Sequence, residues 1–172
     1  VAAAEITRCV LERDDKVRIL DADALNIIAG EHIDYKGSRE GQIIITPHIM
    51  EMSRLTGKTV ADIKEHMIES AKEYAIQHSC ICILKDARTV VTDGQKVYIN
   101  CTGNDGMSTG GCGDVLTGLI AGMTAMGLDA FEAACLSVYV HGKAGDYAAS
   151  GKGRAGMTAA DVSEAIAYVL KR

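Results

Sequence analysis

Thr102-Gly103-Asn104-Asp105-Gly106-Met107-Ser108-Thr109-Gly110-Gly111-Cys112-Gly113-Asp114 places five glycines among hydroxyl and amide side chains and ends on a carboxylate. The apolar run Val115-Leu116-Thr117-Gly118-Leu119-Ile120 follows at once, so the loop feeds a helix. Glycines let backbone N–H groups approach a ligand closely, and a helix N-terminus adds partial positive charge. That combination cradles an anion, most often phosphate. A carboxylate beside phosphate would be repelled, so Asp114 needs a reason to be there. A proton-accepting or metal-handling role supplies one, with the neighbouring amides holding developing negative charge. The alternative is a flexible connector with Asp114 capping the helix. The stretch lacks the Gly-Lys-Ser/Thr ending of a P-loop, and its glycine spacing is not that of a dinucleotide fingerprint.

Three more polar clusters stand just beyond apolar runs: Asp21, Asp23 and Asn26; Thr46, His48 and Glu51; and Lys85-Asp86-Ala87-Arg88-Thr89. Ligands in α/β sheets bind at the carboxyl ends of strands, where these clusters would lie. Asp21 and Asp23 read equally well as site residues or as a strand anchor and a helix cap. Taken by themselves, Glu51 reads as a solvated acid on a first helical turn, and His141 and Asp146 as polar residues fixing helix packing.

The elements that must position these groups alternate. Residues 1–13 read as a helix, Val17 to Leu20 as a buried strand, and 24–29 as a short helix capped by Asp23. Gln42 to Thr46 forms a second strand, stopped by Pro47, the only proline. Thr59-Val60-Ala61-Asp62 opens one amphipathic helix over 59–78. Cys80 to Lys85 is a third strand, and Asp93-Gly94 turns a hairpin between Arg88–Thr92 and Lys96–Asn100. Helices follow at 114–126, 129–149 and 158–171, the middle one apolar nearly all round and so buried on most sides. Alternation of this kind gives an α/β fold with a mostly parallel sheet.

The 172 residues suit a single domain spanning 1–172. A net charge of −5, with no Lys/Arg cluster, argues against nucleic acid, so phosphate affinity has to be local. No run approaches the roughly 20 apolar residues of a membrane span. The six cysteines show no metal or CxxC spacing and read as reduced thiols of a cytoplasmic protein. Val1 opens directly into a helical pattern, which reads as a piece of a larger fold.

Asn104 through Thr117, together with Leu20-Asp21-Ala22-Asp23-Ala24-Leu25-Asn26, Thr46-Pro47-His48 with Glu51, and His141-Gly142 with Ala144-Gly145-Asp146, resembles the ADP/ATP-dependent NAD(P)H-hydrate dehydratase family of the ribokinase-like superfamily. The resemblance implies a three-layer α/β/α fold whose first βα units are missing here. It implies repair of hydrated NADH and NADPH: the nucleotide phosphorylates the C6 hydroxyl, and loss of phosphate restores the double bond. By resemblance Gly111, Cys112 and Gly113 form the anion hole, and Asp114 is the base on the substrate hydroxyl. His48 touches the hydrated nicotinamide, and Glu51 organises Mg2+. Lys85, Asp86, Ala87, Arg88, Thr89, Asn104 and Gly113 meet the ADP or ATP. A homo-oligomer (a tetramer) and an epimerase domain or partner are implied as well. Two departures stand out: Asp86 replaces the family's usual glycine, and Ile49-Met50 replaces a frequent Pro-Gly. The alternatives are a ribokinase-like hydroxymethylpyrimidine or hydroxyethylthiazole kinase, and a non-catalytic nucleotide-binding module.

Overall fold

The computed structural model describes residues 2–38 and 42–171. They divide into two compact units, the first running to Asp86 and including Val90–Ile99, the second comprising Ala87–Thr89 and the chain from Asn100 onward.

The first unit holds one five-stranded sheet in sequential order: β1 (Arg18–Leu20), β2 (Ile43–Ile45), β3 (Ile81–Leu84), β4 (Val90–Thr92) and β5 (Val97–Ile99). The first three strands run parallel, with Ile19 opposite Ile44 and Ile45 opposite Cys82. The hairpin adds β4 and β5 antiparallel, pairing Ile83 with Val91 and Val91 with Tyr98, so the sheet is mixed. Gly94 makes the turn at φ +92°, a backbone angle that side chains resist. β2 is three isoleucines, each fully buried, as a β-branched strand covered on both faces should be. Leu20, Ile43, Ile45, Cys82 and Leu84 pack with Leu25, Ile28, Met52, Ile63, Tyr74 and Ala75 of this unit's helices.

Those helices are α1 (Ala2–Leu11), α2 (Asp23–Glu31), α3 (Ile49–Thr56), α4 (Val60–Glu65) and α5 (Met67–His78). The single helix expected over 59–78 is broken at His66, whose φ −126° and ψ 48° turn the chain between α4 and α5. Ile63 on one side and Ala71, Tyr74 and Ala75 on the other stay buried, so the apolar spacing runs through the break without registering it. Thr59 and Asp62 form the expected capping box. Asp23 does not cap α2. Ala22 holds that position at φ +47°, and Asp21 steadies it by accepting the Ala22 N–H at 2.9 Å.

The second unit packs α6 (Cys112–Ala125), α7 (Ala130–Lys152) and α8 (Ala159–Val169). Its core is Cys112, Ala144, Ala148, Met157, Val162 and Ala165. α7 is less enclosed than its composition suggests, because Leu136, Tyr139 and Tyr147 remain exposed on one face. Among the described residues no helix is long and apolar enough to cross a membrane.

Candidate functional site

In the second unit the glycine loop enters α6 through Gly111, which sits at the N-cap position with φ +91° and offers no capping side chain. The first N–H groups of a helix have no intrahelical partner, and capping side chains, tight-turn carbonyls, water or a ligand satisfy them. The Cys112 N–H reaches the Thr109 carbonyl weakly at 3.4 Å, and Gly113 and Asp114 donate to nothing among the described residues. Two amides therefore point out of a helix end with partial positive charge. Asp114 is the third residue of α6, exposed, and its carboxylate makes no hydrogen bond or ion pair among the described residues. It is not the helix cap. The Cys112 side chain is buried in the unit's core, which pushes its thiol pKa up and leaves only its backbone to the loop.

Upstream, Asn104 caps a single 3-10 turn, Asp105–Met107, by accepting the Gly106 N–H at 3.1 Å. Its amide nitrogen donates to Asp146 Oδ1 at 3.1 Å, and the Gly103 N–H donates to Asp146 Oδ2 at 3.0 Å. Both ends of the Asn104 side chain are thus engaged inside the unit. His141 lies half-buried on α7. Ala87 and Arg88 are exposed, and the Thr89 carbonyl accepts the Asn100 N–H at 2.9 Å.

In the first unit, parallel pairing brings the carboxyl ends of β1, β2 and β3 together. Pro47 cannot extend β2 as a donor, yet its carbonyl accepts the Lys85 N–H at 2.8 Å, and His48 bridges to Lys85 in parallel register. The Lys85 ammonium reaches across to Asp21 Oδ1 at 2.9 Å, with both side chains mostly shielded from solvent. Burial raises the Asp21 pKa, but the Lys85 charge and the hydrogen bonds from Lys85, Thr46 and Ala22 outweigh it and hold the carboxyl below its usual range. Asp86, next in sequence, is exposed. Asp23 is exposed too, and Asn26 accepts from Arg54 at 2.7 Å, tying α2 to α3.

His48 and Glu51 form a reciprocal cap on α3. His48 Nδ1 accepts the Glu51 N–H at 3.1 Å, and Glu51 Oε2 accepts the His48 N–H at 2.8 Å. Nδ1 as acceptor leaves the proton on Nε2, 3.4 Å from Glu51 Oε1. The His48 ring is half exposed while Glu51 is buried at 5%. Glu51 thus faces His48 with both oxygens. Among the described residues no three His, Cys, Asp or Glu side chains gather as metal ligands.

Sequence reasoning named Asp21 and Asp146 without settling what they do. The structure gives Asp21 to Lys85, and Asp146 to the loop at Gly103 and Asn104. The acid closing His141-Gly142-Lys143-Ala144-Gly145-Asp146, behind two glycines, was the available signal.

A parallel core edged by a hairpin, with chemistry-bearing residues at strand ends and a glycine loop at a helix N-terminus, defines the ribokinase-like α/β class. A ribokinase-like superfamily protein from Enterococcus faecalis superposes with a TM-score of 0.83 at 25% identity, covering 96% of this chain and 57% of that one. The family model for NAD(P)H-hydrate dehydratase matches residues 1–168, and the chain belongs to that family. A bifunctional NAD(P)H-hydrate repair enzyme from Moorella thermoacetica is 45% identical over 172 residues, which is 99% of this chain and 32% of that protein. An ADP/ATP-dependent NAD(P)H-hydrate dehydratase from Bacillus subtilis, co-crystallised with ATP and Mg2+, superposes with a TM-score of 0.82 at 34% identity, covering 93% of this chain and 56% of that one. The chain therefore spans about a third of the length of the first and little more than half of the second.

Proposed function

We propose that this chain carries the phosphoryl-transfer centre of an ADP- or ATP-dependent dehydration of hydrated NADH and NADPH. The observation that supports it most is the pairing, on one helical turn, of the Gly113 and Asp114 amides with an exposed Asp114 carboxylate, none of which has a partner among the described residues. The kinship with the Bacillus and Moorella enzymes supplies the substrate class.

The chemistry follows from those groups. Phosphoryl transfer needs in-line positioning and a sink for negative charge more than covalent help. The amides at the start of α6 hold the transferred phosphoryl oxygens, and the helix dipole favours their charge. Asp114 accepts the proton of the C6 hydroxyl as its oxygen attacks phosphorus and the bond to the nucleotide's leaving phosphate breaks. Phosphorylation turns a poor leaving group into a good one: the C6–O bond breaks to release inorganic phosphate while a proton passes from the adjacent ring carbon to solvent, which restores the double bond.

His48 offers a half-exposed ring whose tautomer Glu51 fixes, suited to a hydrogen bond with the hydrated nicotinamide nucleotide. Lys85 and Arg88 are the cations assigned to the adenine nucleotide. Mg2+ would enter with the nucleotide phosphates that chelate it and would neutralise part of their charge. A cytoplasmic setting, an oligomer and a companion epimerase activity complete the proposal.

The test is Asp114→Asn in the intact protein, with ADP binding followed by calorimetry and repair by NADH absorbance. Turnover falls by about 10²–10⁴, as for a lost general base. ADP affinity changes by no more than roughly fivefold, because the phosphate-holding amides survive. Near-normal turnover would remove Asp114 from the mechanism. Phosphorylation of a pyrimidine or thiazole alcohol, with hydrated NADH untouched, would select a small-molecule kinase instead.

A further inference from the structure

The loop that presents the amides is not a free span. Its exposed part, Ser108 to Gly110 with half-buried Gly111, lies between two feet that both stand on α7. The downstream foot is Cys112, buried against a core that includes Ala144 and Ala148. The upstream foot is Gly103–Met107, and its attachment is polar: Asp146 takes the Gly103 N–H at 3.0 Å on one oxygen and the Asn104 amide at 3.1 Å on the other. Asn104 passes the restraint on, holding the Gly106 N–H at 3.1 Å with its own oxygen.

Close packing seals this foot. A Cβ at Gly142 would stand 2.7 Å from the Thr102 carbonyl carbon, and one at Gly145 would stand 2.2 Å from the Met107 sulfur. A Cβ at Gly106 would stand 2.4 Å from the Arg154 carbonyl oxygen. The Arg154–Asp105 ion pair at 3.1 Å is too exposed to add much.

We propose that Asp146 is the positioning residue of the anion loop: its two carboxylate oxygens clamp Gly103 and Asn104 to α7 and so pre-organise the amides that meet the nucleotide phosphate. This rests on the phosphate reading given above. Asp146 touches no reacting atom. It acts by removing conformational freedom from the loop before the ligand arrives, which a binding site otherwise loses on association.

The experiment is an exchange of partners across the clamp, read by calorimetric titration of ADP into the full protein. Asp146→Asn leaves one of the two loop donors without an acceptor, and ADP binding weakens by roughly tenfold, the scale of a lost hydrogen bond to a charged group. Asn104→Asp sets two carboxylates against each other and weakens it at least as much. The double variant, Asp146→Asn with Asn104→Asp, rebuilds every bond. The new amide at 146 accepts from Gly103 and donates to the new carboxylate at 104, which still accepts from Gly106. Amide-exchange protection over Gly103–Met107 therefore returns to the parent level and ADP affinity rises above that of either single variant, a recovery that a general destabilisation does not produce.

Asp129→Ala, which removes the cap at the far end of α7, lowers the melting temperature and leaves ADP affinity unchanged. Parent-like affinity in Asp146→Asn, or a double variant no better than its singles, overturns the proposal. If the parent takes up no ADP, the phosphate reading fails, and amide exchange over Gly103–Met107 judges the clamp by itself. Protection lost in Asp146→Asn and regained in the double variant supports it; unchanged protection overturns it.

Discussion

In the proposed reading Gly113 serves through its backbone amide, with no side chain to obstruct a ligand. Cys112 would do the same, since its thiol is buried in packing, and Asp114 would supply the side-chain chemistry of this turn. Gly113→Val tests the distinction between backbone and side chain. Valine is a better helix former than glycine by a few tenths of a kcal/mol, so the fold does not lose stability from propensity. Its branched side chain nevertheless stands beside the amide that must meet a phosphate oxygen. ADP binding weakens by at least roughly tenfold while the melting temperature holds, because one preorganised donor is screened from its ligand. Calorimetric titration and thermal melting of the same preparation decide it. Unchanged ADP affinity would place the phosphate elsewhere.

Among the elements, the strand ends of the first unit are held by charge as well as by the sheet. Asp21 at the end of β1 and Lys85 at the end of β3 pair across the end of β2, and the Asp21 carboxyl lies below its ordinary value in the folded chain. A carboxyl with a depressed folded pKa gives stability that is complete above the unfolded value of about 3.9 and is lost as pH falls through the folded one. Urea unfolding between about pH 6 and pH 2 therefore shows an acid limb that Asp21→Asn flattens, with the parent and variant converging at the lowest pH. Parallel acid limbs in the two proteins would mean the pair adds nothing. The elements themselves were largely legible: three consecutive isoleucines announce β2, Asp93-Gly94 announces the hairpin, and Thr59 with Asp62 announces a helix start. The candidate loop was legible for the same reason, since glycine density and a helix run are local signals. What could not be read from local pattern depends on distant partners. His66 breaks a helix whose apolar period continues across it, Ala22 takes a positive φ that Asp21 supports, and Asp146 finds its donors about forty positions upstream.

The 172-residue chain carries a net charge of −5, a field that repels an adenine nucleotide, so attraction of one would have to be local. Binding that depends on a few fixed amides is coupled to folding, because the unfolded chain presents no helix end. A ligand that binds only the folded state stabilises it by about 2.7 kcal/mol at one hundred times its dissociation constant. For a chain of this size that corresponds to a rise in melting temperature of roughly 5–10 °C. Where calorimetry resolves the two compact units separately, the rise falls on the transition that includes α6 to α8, since the amides belong to that unit. If Asp114 acts as the proposed base and does not hold the phosphate, Asp114→Asn keeps most of the rise. Gly113→Val, with at least roughly tenfold weaker binding, cuts it by about half or more. Inorganic phosphate at the same concentration gives a smaller rise than ADP, since it lacks the base and ribose. A parent protein whose melting is indifferent to saturating ADP, while its circular dichroism reports an intact fold, would detach the start of α6 from nucleotide binding.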